Sequence, residues 1–330
     1  MSQSVRFAPV SLFGAAMGIG GLGLACRAAI DVLGLPSAFS MVLVGLGAIV
    51  LLVLLITYAA KWSRYPDAAR AELANPAQMG FAATLPLALC IVAGGLGPYA
   101  ALVADALWWI GYALLCVVIV ASLVRWLDGG IDLVNVNTGW MLALVSGVVI
   151  PVAGVPLDHM ESSRFIFGVG LMFAPFVIGI VFYRMVVAPP LPDAMKPTWA
   201  IYAVPSAMIY INYAPLAGEP AGLAINGSFY VTLVVACALL LKFRHSMRWP
   251  FTPAWWAFTF PADAVAGAAI RYASVNASGP AYAVAWTTLA LAAIIVTLVS
   301  ARTLVALGRG QMLLPPPTMP APALTPEVSR

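Results

Sequence analysis

Charge is scarce in this sequence: Asp, Glu, Lys and Arg make up 8% of its 330 residues, against roughly 25% in an average soluble domain. So few charges cannot cover a water-exposed surface. Histidine occurs twice and cysteine four times, with no CxxC spacing. Cys26, Cys90, Cys116 and Cys237 all lie in apolar runs, where an isolated cysteine reads as a small buried hydrophobe. His159 and His245 fall between apolar runs and read as solvated loop residues, which leaves haem or quinone chemistry without intramembrane ligands. There is no paired-carboxylate, Ser-His-Asp or metal-ligand cluster, and no nucleotide-binding loop for an ATP-driven pump. An enzyme is not expected, nor is any cofactor or metal. The string "GIGGLG" (18–23) matches G-x-G-x-x-G literally, but no strand precedes it. Together with Gly14-x-x-x-Gly18, it reads as a strip of small residues that lets helices approach.

What is abundant is apolar surface. Hydrophobic residues make up 63% of the chain, gathered in runs of roughly 17–25, the length a helix needs to cross about 30 Å of hydrocarbon. Uniformly apolar runs without two-residue alternation favour helices over a barrel. The expected fold class is therefore an all-α polytopic membrane protein. Ten spans are read, at 10–30, 38–60, 80–98, 103–125, 138–156, 164–187, 197–216, 221–242, 253–272 and 280–305. An even count places both termini on one side. That side then receives Arg6, Lys61, Arg64, Arg70, Arg125, Arg184, Lys196, Lys242, Arg244, Arg248, Arg302, Arg309 and Arg330, and the other only Arg27, Arg164 and Arg271. Such an asymmetry predicts cytoplasmic termini in a plasma (inner) membrane. The net charge of +4 is then an orientation signal, and no nucleic-acid partner is expected.

The run from Phe7 to Cys26 is too long for a signal-peptide core, so a retained first helix is expected despite "GLGLAC". Residues 1–308 read as one ten-helix domain and 309–330 as a Pro-rich, disordered cytoplasmic tail. The longest internal loop is expected near 61–79. Trp62, Trp108, Trp109, Trp126, Trp249, Trp255 and Trp256, at span ends, read as interfacial anchors.

The spans are related to one another. "PTWAIYAVPSA" (197–207) superimposes without a gap on "PAWWAFTFPAD" (253–263), aligning Trp199 with Trp255, Val204 with Phe260 and Pro205 with Pro261. The fifth span follows more loosely through Trp140 and Ser146, the third through Leu85 and Pro86, and the first through Phe13 and Gly14. The odd spans thus share an interior break, at Gly14, Pro86, Ser146, Pro205 and Pro261, while the even spans are expected to run without an interior proline. Proline at a helix start costs nothing, but inside a helix it frees a carbonyl. Lipid tolerates that only where neighbouring helices or a water-filled cavity cover the break.

With "WWAFTFP" as its ninth helix and five tandem hairpins, the chain resembles the tellurite-resistance (TehA-type) and C4-dicarboxylate transporter family, which includes the plant slow anion channels. The resemblance covers nearly the whole chain. It implies an inner pore ring of odd helices, an outer ring of even helices, a homotrimer in the bilayer, and a phenylalanine of the ninth helix plugging the pore, here Phe260. Phe13, Leu85, Val145 and Val204 would then line the pore beside the plug. The implied function is a passive channel for small anions. The alternative is a proton-coupled carrier of C4-dicarboxylates, sulfite or tellurite-related oxyanions. Asp263 departs from expectation, because a carboxylate facing an anion path repels its substrate. It is read as an ion-pair partner of Arg271 or Arg27, or as a coupling carboxylate.

Overall fold

The computed structural model describes residues 5–219 and 222–313, and among these every regular element is a helix. The α-helices are α1 (Gly14–Leu33), α2 (Ser37–Arg64), α3 (Pro66–Ala74), α4 (Thr84–Leu96), α5 (Ala101–Leu127), α6 (Gly139–Leu144), α7 (Pro151–Gly154), α8 (Met160–Val187), α9 (Val204–Ala217), α10 (Leu223–Phe243), α11 (Thr259–Val275) and α12 (Gly279–Gly308). Seven helical stretches among the described residues are long and apolar enough to cross a bilayer. The regions expected at 138–156, 197–216 and 253–272 are divided into shorter pieces. The Pro-rich segment lies outside the described residues from 314 onward.

Burial separates the helices into two kinds. The apolar windows of α2, α5, α8, α10 and α12 are 11–33% buried, whereas Met79–Leu96 is 83% buried. Side chains such as Leu102, Phe176, Val234 and Ile294 project outward from the first group, which in a polytopic chain is the surface offered to lipid. The buried helices pack in a closed cycle: α1 against α4, α4 against α7, α7 against α9, α9 against α11, and α11 back against α1. The long exposed helices α2, α5, α10 and α12 pack on α1, α4, α9 and α11 respectively, and α8 packs on α6.

Glycine makes the closest of these contacts possible. A Cβ on Gly14 would come 3.3 Å from Trp256, one on Gly18 2.0 Å from Thr259 Oγ1, and one on Gly21 2.8 Å from Asp263 Oδ2. The three residues, spaced near one helical turn, form the strip on which α11 and the 3-10 segment before it lie.

The interruptions do not take the form of a kink in a continuous α-helix. Four of the five buried segments begin as 3-10 helix, over Val10–Phe13, Met79–Ala83, Lys196–Ala203 and Pro253–Phe258, and change to α at Gly14, Thr84, Val204 and Thr259. The fifth alternates, with Ser146–Val148 in 3-10 form between α6 and α7. Pro205 is the second residue of α9, and Pro86 and Pro261 are the third residues of α4 and α11. They stand in the first α turn, directly after the change from 3-10 geometry, so each forgoes a backbone hydrogen bond at a junction and not in the middle of an α-helix. Hydroxyls at these junctions cap carbonyls: Thr84 Oγ1 donates to Phe81 O at 2.7 Å and to Val10 O at 2.8 Å. Thr259 Oγ1 donates to Trp256 O at 2.7 Å, and Ser146 Oγ to Leu142 O.

Several local expectations change. Pro175 lies inside α8, so proline is not confined to the odd spans; the helix continues through it. Region 61–79 is mostly helical, with Lys61 buried inside α2. Trp108, Trp255 and Trp256 are buried rather than interfacial, and Cys237 is exposed rather than buried. His159 is not simply solvated: its ring stacks on Trp108 at 4.4 Å, with Nε2 2.7 Å from Asp105 Oδ1.

Candidate functional site

Three cavities lie in the centre of the helix cycle, and Phe260 borders all of them. The first, of about 230 Å³, is surrounded by the starts of the buried segments, including Ser11, Thr84, Thr198, Val204 and Pro253. The second, of about 320 Å³, lies at their other ends, with Ala28, Asp31, Met208, Asp263 and Arg271 in its wall. Between them is a space of about 20 Å³, walled by Met17, Leu87, Val145, Ile201, Val204 and Phe260 among others. That volume accommodates about one water, and its walls offer that water almost no hydrogen-bond partners. Phe260 is thus the residue at which the three cavities meet, and the smallest of them is apolar.

The phenylalanine is placed by the junction immediately before it. Phe258 ends the 3-10 segment and Phe260 is the second residue of α11, with its ring close enough to α1 that a Cβ on Gly21 would come 3.0 Å from Cδ2. Phe260 is 7% exposed. Aliphatic and methionine side chains surround it, and no aromatic ring stacks on it among the described residues.

Two of the four flanking residues expected from the repeat, Val145 and Val204, stand in this layer. The other two line none of the three cavities. Phe13 is buried against Tyr58 of α2, ring centroids 5.8 Å apart and nearly perpendicular; Met17, one turn further along α1, occupies the layer. Leu85 gives way to Leu87. A helix turns each successive residue by about 100°, so an alignment error of one or two residues is enough to point the wrong side chain at the axis. The proline register is strong between the seventh and ninth spans and weak in the first and third, where the residues lining the small cavity differ from those expected. Stepping by helical turns from Phe13, rather than by alignment, was the signal that could have found Met17.

Asp263, three residues past Phe260, shares its helical face. It is 3% exposed, and neither carboxylate oxygen has a hydrogen-bond partner. The two arginines named for it are engaged elsewhere or apart. Arg27 donates to the carbonyls of Gly94 and Gly95, to the latter at 3.2 Å. Arg271 stands in the wall of the second cavity and forms no ion pair among the described residues. The ion pair read from the sequence is not formed.

One buried ion pair among the described residues borders the first cavity. Lys61 Nζ lies 2.6 Å from Glu72 Oε2 and donates to Ala8 O at 2.8 Å, while Glu72 Oε1 accepts from the Val10 N–H at 2.7 Å. The wall of the first cavity includes Glu72, and the pair ties the start of the first buried segment to α2 and α3. Sequence reading missed it because Lys61 was counted as a loop cation.

A helical chain with several stretches long and apolar enough to cross a bilayer, enclosing central cavities, has the form of an integral membrane protein. Comparison with known proteins gives the family. Residues 8–304 match the family described as voltage-dependent anion channel. The chain is 24% identical over 301 residues to the uncharacterized transporter MJ0762 of Methanocaldococcus jannaschii, covering 79% of this chain and 83% of that protein. It is 23% identical over 295 residues to the guard cell S-type anion channel SLAC1 of Arabidopsis thaliana, covering 86% of this chain and 52% of that protein. The S-type anion channel SLAH2 of the same plant is 22% identical over 277 residues, 53% of its length. The chain thus spans about half the length of these plant relatives. It belongs to the voltage-dependent anion channel family, an integral membrane family of channels and not of enzymes.

Proposed function

We propose that the protein conducts small anions passively along the axis of the helix cycle, and that Phe260 plugs this path in the state described. In this reading ten helical segments cross the membrane as five tandem hairpins. The segments ending in α1, α4, α7, α9 and α11 form the pore ring, and α2, α5, α8, α10 and α12 face lipid. The observation that carries the reading is the position of Phe260, which borders the two larger cavities and the dry space between them. Phe260→Ala removes the ring. It is expected to raise anion conductance in planar bilayers by about tenfold or more, equivalent to lowering a barrier by about 1.4 kcal/mol. Unchanged current from well-folded variant protein would sink the plug.

A second reading, a proton-coupled carrier of dicarboxylates or oxyanions, draws on Asp263, an unpartnered carboxyl beside the path. Reversal potentials in chloride, nitrate and malate separate the two, since a channel follows the Nernst potential of the permeant anion and a proton-coupled carrier shifts with the pH gradient. Cytoplasmic termini are supported by the charge asymmetry of the loops. A homotrimer is supported by family resemblance and is tested by the mass of the detergent-solubilised particle.

A further inference from the structure

We infer that Asp263 is a selectivity-determining residue: the path passes anions while this carboxyl is protonated, and excludes them when it is ionised. The inference rests on the channel reading above.

The argument starts from one helix face. Phe260, Asp263, Gly267 and Arg271 recur at intervals of three or four residues and all border the second cavity, so an ion that passes Phe260 next meets Asp263. The carboxyl is enclosed between α11 and the glycine strip of α1. A Cβ on Gly21 would stand 2.8 Å from Oδ2, so no larger residue is accommodated there. Both oxygens are buried and unpaired. An ionised carboxylate without a partner is among the costliest groups to bury, whereas a neutral carboxyl is far cheaper and carries a hydroxyl that can donate.

The remaining charges around it do not substitute for a partner. From α1, Cys26 is buried, Arg27 is bound to the α4 carbonyls, and Asp31 is exposed at the mouth of the cavity. On α4, the Cys90 thiol faces Trp108 O at 3.8 Å. From α9 and α10, Tyr210 and Tyr230 cluster with Tyr272. Near the start of α11, Lys196 is paired with Asp193 at 2.5 Å. On α12, Arg302 lies over the Trp255 ring. That leaves Arg271, two turns beyond Asp263 on the same face, as the cation of the cavity. Neutral Asp263 leaves the charge of Arg271 unopposed on this face, which suits an anion by attraction. Ionised Asp263 cancels the charge of Arg271 and places a fixed negative charge at the narrow end of the path.

The test uses the full-length Phe260→Ala protein in planar bilayers, so that the plug does not mask the filter, with symmetric chloride and a pH series. Anion current is expected to fall about tenfold or more as pH rises, as repulsion between like charges a few ångströms apart at intermediate dielectric implies. The reversal potential in a salt gradient should shift toward the cation at the same time. Adding Asp263→Asn should leave a high, pH-independent current with fixed anion selectivity. Asp263→Glu should restore the pH dependence, and Asp31→Asn should leave it in place. If Phe260→Ala/Asp263→Asn keeps the full pH dependence, or the reversal potential does not move with pH, the filter is overturned while the plug stands. If folded Phe260→Ala carries no current at any pH, the channel reading falls and the filter with it.

Discussion

At the scale of single residues, the glycines of α1 decide how close the helix bearing Phe260 can come. Gly18 is the tightest, since a Cβ there would lie 2.0 Å from Thr259 Oγ1 and 2.5 Å from its Cβ. Turning the Thr259 side chain aside would break its hydroxyl bond to Trp256 O and would not relieve the clash with its Cβ. Gly18→Ala must therefore push α1 and α11 apart, at a cost typical of overpacking, about 1–3 kcal/mol, read as a lower melting temperature in detergent. Gly45, whose added Cβ would meet nothing within 4 Å, is the control: Gly45→Ala is expected to leave stability unchanged or slightly improved through helix propensity. Equal losses from both substitutions would contradict the close-approach reading of the strip.

That strip was legible from the sequence because small residues at helical spacing in an apolar run have few other uses. The match between 197–207 and 253–263 also singles out Phe260, which borders the three central cavities; its role as a plug comes from family resemblance and is proposed. The cavity-lining residues of the first and third spans, Met17 and Leu87, were not legible. Side-chain direction there depends on where 3-10 geometry gives way to α, and no proline pair marks that point. The state of Asp263 was also beyond reach: burial without a partner is a property of packing between α1 and α11, while counting charges along the chain suggested a salt bridge.

At the scale of elements, the short helix α3 shows how a loop charge becomes structural. Glu72 reaches from α3 to Lys61 of α2 and to the backbone of Val10, so one carboxylate joins three elements beside the first cavity. The side chains of the pair are 4% and 8% exposed, which makes the loss of one partner much worse than the loss of both. Lys61→Met leaves a buried carboxylate and is expected to destabilise by about 3–5 kcal/mol, whereas Lys61→Met with Glu72→Met should recover much of that loss. Recovery is expected to be incomplete, because Ala8 O and the Val10 N–H lose their partners with the charges. Melting curves of the three proteins test this: additive losses would mean that the groups act independently. The junction hydroxyls belong to the same scale. Each caps a carbonyl near a change of helix type, which is how a non-uniform backbone persists in a protein surrounded by hydrocarbon.

At the scale of the whole molecule, hydropathy and burial pull apart. A bilayer selects on what faces lipid, so α2, α5, α8, α10 and α12 are long and apolar throughout. The more buried segments are free to be short, glycine-rich and broken, and among the described residues seven stretches qualify as spans by length and composition. The stretch from Gly139 to Gly154 is the decisive case. As an α-helix it would rise only about 24 Å, yet almost every residue in it is buried, so protein rather than lipid satisfies its backbone. If it crosses the membrane, Asp128 and Pro156 lie on opposite sides, and Pro190, after one further span, returns to the side of Asp128. If it does not cross, Asp128 and Pro156 lie together. All three positions are exposed. Single cysteines at these sites, in a variant with Cys237 replaced, can be labelled in intact cells with a membrane-impermeant maleimide. With cytoplasmic termini, Pro156→Cys is expected to label from outside, while Asp128→Cys and Pro190→Cys label only after permeabilisation. Labelling of Pro156→Cys together with Asp128→Cys would overturn the ten-span topology, and with it the assignment of thirteen Lys and Arg to one face. Reversal of the whole pattern would keep ten spans and invert the orientation, which places the first cavity and Glu72 outside the cell and the Asp263–Arg271 face inside it.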